Sequence, residues 1–234
     1  MSEFSVIIPT LQRAKELHEL VEMCAAHPRV LEVLVINNAP EPLAWESPKV
    51  RVLQQEENVY VNPAWNLGAR EARGKYLAIV NDDVLFDGDL LDQAARLLNR
   101  PWVGMVGIDV HYRGRRKVRP AGPAHTSLGY GVFMAMRSKD YVPIPGDMLI
   151  WGGDDFLFWT QRRPPVVLMG VRLDTDMSTT SASPEFQQMR LDEIAATERH
   201  LAGVIGQRWW HRPATALAFA RKARGRVGSM LRAG

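Results

Sequence analysis

Cysteine is nearly absent: Cys24 is the only one in 234 residues. A single thiol excludes an internal disulfide framework and fits a reducing compartment. With no activating neighbours in sequence, Cys24 reads as a small core residue. Long apolar runs are missing as well. They reach about five residues, against the ~20 that a membrane-spanning helix needs. The opening has no basic lead and no cleavage site, so the expected localisation is cytoplasmic. None of the six histidines has a metal-ligand spacing. Glycines are lacking after the first strand-like run, where "PTLQRAKE" stands. That counts against a nucleotidyltransferase, which would need a glycine-rich phosphate loop there.

Acids are missing from Gly206 to Gly234, a stretch that carries Arg208, Arg212, Arg221, Lys222, Arg224, Arg226 and Arg232. A second basic cluster runs from Arg113 to Arg119. Such clusters suit an anionic partner: a phosphate-bearing substrate, a membrane surface or nucleic acid. Each taken alone also suits a plain solvated face. The remaining composition, 46% apolar and 24% charged, is that of a globular protein.

Period-2 and period-3.6 patterns alternate along the chain. "FSVIIPT" reads as a buried strand, residues 14–25 as a helix, and "LEVLVINN" as a second strand. "KVRVLQQ" reads as an edge strand, and 63–73 as a helix opened by Pro63. "KYLAIV" is a strand and 89–99 an amphipathic helix. "VGMVGIDVHY" and "YGVFMAMR" read as strands around a loop from Arg113 to Ser127, and "VVLMGVRL" as one further strand. Ser183-Pro184-Glu185 opens a last helix running to about residue 205. This order predicts an α/β fold with a mainly parallel sheet. The expected division is a catalytic domain over 1–205 and a basic tail, possibly helical, over 206–234.

Polar groups gather where strands end. The first strand ends in Pro9-Thr10 with Arg13 behind, the second in Asn37-Asn38, and the fourth in Asn81-Asp82-Asp83. Ligands of open α/β sheets bind beyond the carboxyl ends of the strands. Adjacent carboxylates there attract Mg²⁺ or Mn²⁺, which take one or two acids and fill their shells with water and phosphate oxygens. A bare "NDD" is otherwise an ordinary turn.

Four blocks in order, "SVIIPTLQR", "VLVINNAP", "NPAWNLGAREARGKYLAIVNDDVLF" and "WGGDDFLFWTQR", resemble the family 2 glycosyltransferases of the GT-A fold. The resemblance covers residues 4 to about 163. It implies a Rossmann-like mixed sheet with a C-terminal helical extension. It also implies an inverting, metal-dependent transfer from a nucleoside diphosphate sugar, UDP-type favoured, to a hydroxyl acceptor. That acceptor could be a glycan, a lipid-linked glycan or a nucleic-acid base. By position, Pro9, Thr10, Arg13, Asn37, Asn66, Gly68, Asn81 and Asp82 would line the donor site. Asn37 and Asn81 stand where the family commonly has Asp. Asp83 would be a metal ligand, joined by Asp176 or, second, Asp174, because the family's later His is missing. Asp155 would be the general base and Asp154 its neighbour. Both also suit a helix start. Trp151, Trp159 and Tyr130 could face a sugar, though aromatics beside strands are more often core. His111 and His125 flank the basic loop. A binding module without catalysis is the remaining rival.

Overall fold

The computed structural model describes residues 3–123, 129–175 and 185–216. Expectations that fall on Asp176, His125 and the chain after 216 lie outside the described residues. Buried β-branched runs form β1 (Phe4–Thr10), β2 (Val30–Asn37) and β4 (Tyr76–Val80), with β3 (Val50–Gln54) at an edge. Between them lie α1 (Leu17–Ala26) and α2 (Val61–Glu71). These four strands are parallel, each hydrogen-bonded to its neighbour. Beyond β4 come β6 (Met105–Asp109), β7 (Lys117–Pro120), β8 (Phe133–Arg137) and β9 (Val166–Met169). The sheet order is β3-β2-β1-β4-β8-β6-β9-β7. Strand β8 runs antiparallel to both β4 and β6, so β6 and its parallel partner β9 point the same way as β1. Six strands therefore present their carboxyl ends at one edge.

Apolar side chains cover both faces, as a sheet flanked by helices requires. One face packs on α1 and α3 (Leu90–Leu98) through Leu20, Val21, Leu91 and Leu98. The other packs on α2 and on α4 (Gly153–Thr160), through Trp65, Leu157 and Phe158. Cys24 is buried in the first layer, where desolvation pushes its thiol up to about 12. That is the inert core role its context implied.

Several boundaries differ from the sequence reading. Helix α2 begins at Val61, two residues ahead of Pro63, because Tyr60 takes a left-handed φ of 67° and the Asn62 amide bonds the Leu149 carbonyl. The basic loop contains β7, an edge strand whose charged side chains suit its exposed position. "VVLMGVRL" is two strands, split at Gly170, whose φ is +77°. The second, β10 (Leu173–Thr175), leaves the main sheet and pairs antiparallel with β5 (Val84–Phe86). Helix α5 (Glu185–Ala202) follows the second undescribed gap. No helix among the described residues is long and apolar enough to cross a membrane.

Past α5 the chain stays packed to residue 216. Trp210 is 2% exposed and stacks on Trp159 of α4, ring centres 5.7 Å apart and 8° from parallel. Its indole N–H donates to the Gln161 carbonyl at 3.3 Å. His211 is buried beside it. The packed unit thus reaches beyond the boundary expected at 205, because two aromatic rings within the basic segment complete the core under α4.

Candidate active site

The strand ends carry one connected polar array. Asp82, just after β4, accepts a 2.6 Å hydrogen bond from the Thr10 hydroxyl at the end of β1. The Thr10 hydroxyl in turn accepts from the Gln12 amide at 2.8 Å. Gln12 holds a left-handed φ of 59°, and its side-chain amide reaches the Asn37 oxygen at 3.2 Å. Asn37 ends β2 and donates to Gln54, the last residue of β3, at 2.6 Å. Five residues from four elements are thereby tied into one floor. Gln12 and Gln54 were not legible as site residues. A glutamine has no pattern of its own, and only the parallel register puts these two beside Asn37.

The structure sorts the remaining candidates. Asn37 is fully buried; its oxygen also accepts from the Ala39 amide, and its nitrogen also donates to the Glu41 carbonyl. Its amide is saturated by protein. Asn66 lies on α2 and binds the 141–144 segment: it donates to the Ile144 carbonyl and accepts from the Ile144 amide and the Tyr141 hydroxyl, each within 2.9 Å. Gly68 lies against the Ile7 side chain, where a larger residue would push α2 off β1. Pro9 is half-buried at the strand end and Arg13 is exposed just beyond it.

Asp82 and Asp83 are half-buried neighbours. Desolvation pushes the Asp82 carboxyl up to about 6; the Asp83 charge and Glu16 push the same way, and the Thr10 hydrogen bond opposes them. Surplus negative charge at a strand end is what a divalent cation relieves. Among the described residues no three acids, histidines or cysteines form a ready metal cluster. The donor set fits an ion that takes one or two carboxylates and its other oxygens from a diphosphate.

The second acid pair opens α4. Gly152 precedes the helix with a φ of +74°, a conformation open to glycine, and a side chain there would strike Thr197 of α5. Upstream, the Ile150 and Trp151 amides both donate to one oxygen of Glu193, at 2.9 and 2.7 Å. Glu193 sits on α5 and is only 3% exposed. From the other side Asn62 of α2 donates to the carbonyls of Met148, at 3.1 Å, and Trp151, at 3.4 Å. Glu193 and Asn62 were not expected as site-supporting residues, since helical polar positions look alike until the fold is closed. Trp159 and Tyr130 are buried core, while Trp151 is half-buried against Phe186.

The polar end of β4 and the start of α4 touch one short turn. The Asn81 amide donates to the Val132 carbonyl at 3.1 Å. The adjacent Gly131 faces Asp154, and a methyl group there would come within 3.2 Å of its carboxylate oxygen. Burial and the neighbouring Asp155 charge push the Asp154 carboxyl up to about 7.

Comparison with known proteins identifies the fold and the family. The uncharacterized protein y4gI of Sinorhizobium fredii is 30% identical over 120 residues, 46% of this chain. The chain spans 13% of that relative's length. Among solved structures, S. aureus TarS residues 1–349 superposes with a TM-score of 0.55 at 15% identity, over 91% of this chain and 77% of that one. The same TarS fragment has been solved with UDP-GlcNAc, at a TM-score of 0.55 and 17% identity, over 82% of this chain and 66% of that one. GalNAc-T7, solved with UDP, GalNAc and Mn²⁺, gives 0.59 at 12% identity, over 80% of this chain and 47% of that one. At these identities the likeness establishes the GT-A fold. Residues 5–143 match the glycosyl transferase family 2, more than half of the sequence, and the chain belongs to that family.

Proposed function

We propose that the protein transfers a sugar from a nucleoside diphosphate sugar, UDP-type, to a hydroxyl acceptor with inversion. The carrying observation is that Asn81, which opens the Asn81-Asp82-Asp83 run, and Asp154, which opens the Asp154-Asp155 pair, both lie against the Gly131–Val132 turn. Inversion needs a leaving-group site and a base on opposite sides of the reacting carbon. Acid runs that begin on either side of one turn would supply both.

The Thr10–Gln12–Asn37–Gln54 floor would cradle the nucleoside, and Pro9 and Arg13 would flank it. Thr10 holds Asp82 turned toward β1, which favours Asp82 on the ribose or sugar and leaves Asp83 as the metal ligand. Asp176 would be a further ligand. Mn²⁺ or Mg²⁺, when bound, would neutralise charge on the departing diphosphate. Burial and the Asp155 charge raise the Asp154 carboxyl above the usual carboxylate range, which favours Asp155 as the base that takes the proton of the attacking hydroxyl. The buried single thiol suits work in the cytoplasm, and the basic tail could rest on a membrane surface.

The test is a thermal-shift screen of nucleoside diphosphate sugars with and without Mn²⁺, because a ligand that binds only the folded state raises its melting temperature. A metal-dependent shift with a UDP sugar is expected. No shift with any nucleoside diphosphate would refute the donor assignment. Product with retained anomeric configuration would refute inversion.

A further inference from the structure

A groove of about 720 Å³ opens at the same edge of the sheet, apart from the nucleoside floor. It is lined by Leu85 to Asp87 of the β5 segment, by Tyr112 to Gly114 after β6, and by Gly170 to Asp174, from the turn after β9 into β10. Its size is that of a small-molecule site. One of its walls, Leu85 to Asp87, follows Asp83 in the chain by two residues.

The walls are fixed by bonds that consume part of the basic loop. Arg116 binds both Asp89 oxygens at 2.6 and 2.7 Å and also pairs with Asp87. The same Asp87 oxygen accepts the Arg172 backbone amide at 3.0 Å. Lys117 lies over the Tyr112 ring, 4.0 Å from its centre, and donates to its hydroxyl. Gly170, at φ +77°, lets the turn close on the Gly114 carbonyl. Two guanidiniums remain. Arg113 and Arg172 are exposed, line the groove, and have no salt bridge with another described residue.

Resting on the glycosyl-transfer reading, we propose that this groove seats the acceptor, and that the acceptor is a phosphate-bearing glycan. Arg113 and Arg172 present planar forks that match phosphate oxygens in pairs. Asp174, on the same wall, accepts hydrogen bonds from sugar hydroxyls. A nucleic acid fits less well. It needs a stripe of cations along its backbone, whereas Arg113 and Arg172 are the cations that line the groove and the neighbouring Arg116 and Lys117 are tied to protein.

The experiment is calorimetric titration of the full chain with phosphorylated maltoheptaose, neutral maltoheptaose, a single-stranded oligonucleotide, and UDP with Mn²⁺. The wild type is compared with the double variant Arg113→Gln, Arg172→Gln. Neither residue belongs to the donor site or the acid pairs. The phosphorylated glycan should bind the wild type more tightly than the neutral one. The double variant should lose about tenfold, the scale of charge-assisted pairs in a half-solvated groove, with UDP binding unchanged. No wild-type binding of the phosphorylated glycan, or equal binding by both proteins, overturns the proposal. A matching loss of UDP binding would make the groove a donor-phosphate site and overturn it too. Preferred binding of the oligonucleotide, lost in the same variant, would replace the glycan by nucleic acid. Should the wild type bind no UDP, the transferase reading fails, while the glycan titration still reports on the groove.

Discussion

Removing the Glu193 carboxylate tests how the acid helix is held. Glu193→Ala deletes the acceptor shared by the Ile150 and Trp151 amides. A hydrogen bond to a charged group contributes ~1.5–3 kcal/mol, and a stranded buried donor costs ~1–3 kcal/mol. Ile150 and Trp151 are half-buried, so water rescues part of the loss. We expect about 2–4 kcal/mol in all. For a chain of this length that is a fall of roughly 4–16 °C in Tm, at about 2–4 °C per kcal/mol. Glu193→Gln retains an oxygen in the same place. The second Glu193 oxygen is buried without a partner, so an amide nitrogen there breaks no existing bond. The glutamine variant should lose less than half as much. Urea unfolding of the three proteins measures both values, and nucleotide titration with Mn²⁺ reports whether the donor floor survives. In Glu193→Ala, transfer should fall more than donor binding, because the clamp precedes Asp154 and not Asp82. Equal stability of all three proteins would refute the clamp. An equal fall in donor binding and transfer would refute its local action.

Four further outcomes are expected. Asp83→Ala should abolish the metal-dependent part of the donor-induced thermal shift, and Asp155→Asn should keep that shift while transfer falls by ~10²–10⁴, the usual share of a general base; full transfer by the second variant would move the base elsewhere. Asp154 has its folded carboxyl raised from 3.8 to about 7, so the unfolded chain ionises first and native stability falls as pH rises from about 4 to about 7; unfolding of Asp154→Asn across that window should show a flatter slope. Trp210→Ala removes the ring stacked on Trp159 and should cost ~3–5 kcal/mol, read as a lower urea midpoint.

Much of the parallel half was legible, because its strands are apolar on both faces and its turns carry Pro, Gly and Asn. β1, β2, β4, α1 and α3 lie within three residues of their expected ends. The second half was less so. Strand β7 reads as a charged loop because its partner β9 comes some 50 residues later in the chain. Strand β10 begins only at Leu173, the last residue of an apolar run that the left-handed Gly170 divides. At the site, acids and asparagines at strand ends stood out as polar residues where apolar ones were due. Their partners Gln12, Gln54, Asn62 and Glu193 did not, since each becomes special only through contacts distant in sequence. Asn66 and Gly68 show the converse. Conspicuous in sequence, they hold a loop and a helix in place.

The clamp on the acid loop also sets an order of assembly. Asn62 reaches Met148 across 86 residues, and Glu193 reaches back 43 to Ile150. The Thr10–Gln12–Asn37–Gln54 array, by contrast, is complete once β4 has joined β1 and Asp82 has met Thr10. During synthesis that array can close while the chain is less than half made. The acid helix is fastened only after α5 emerges, so no shorter nascent chain holds Asp154 and Asp155 in place.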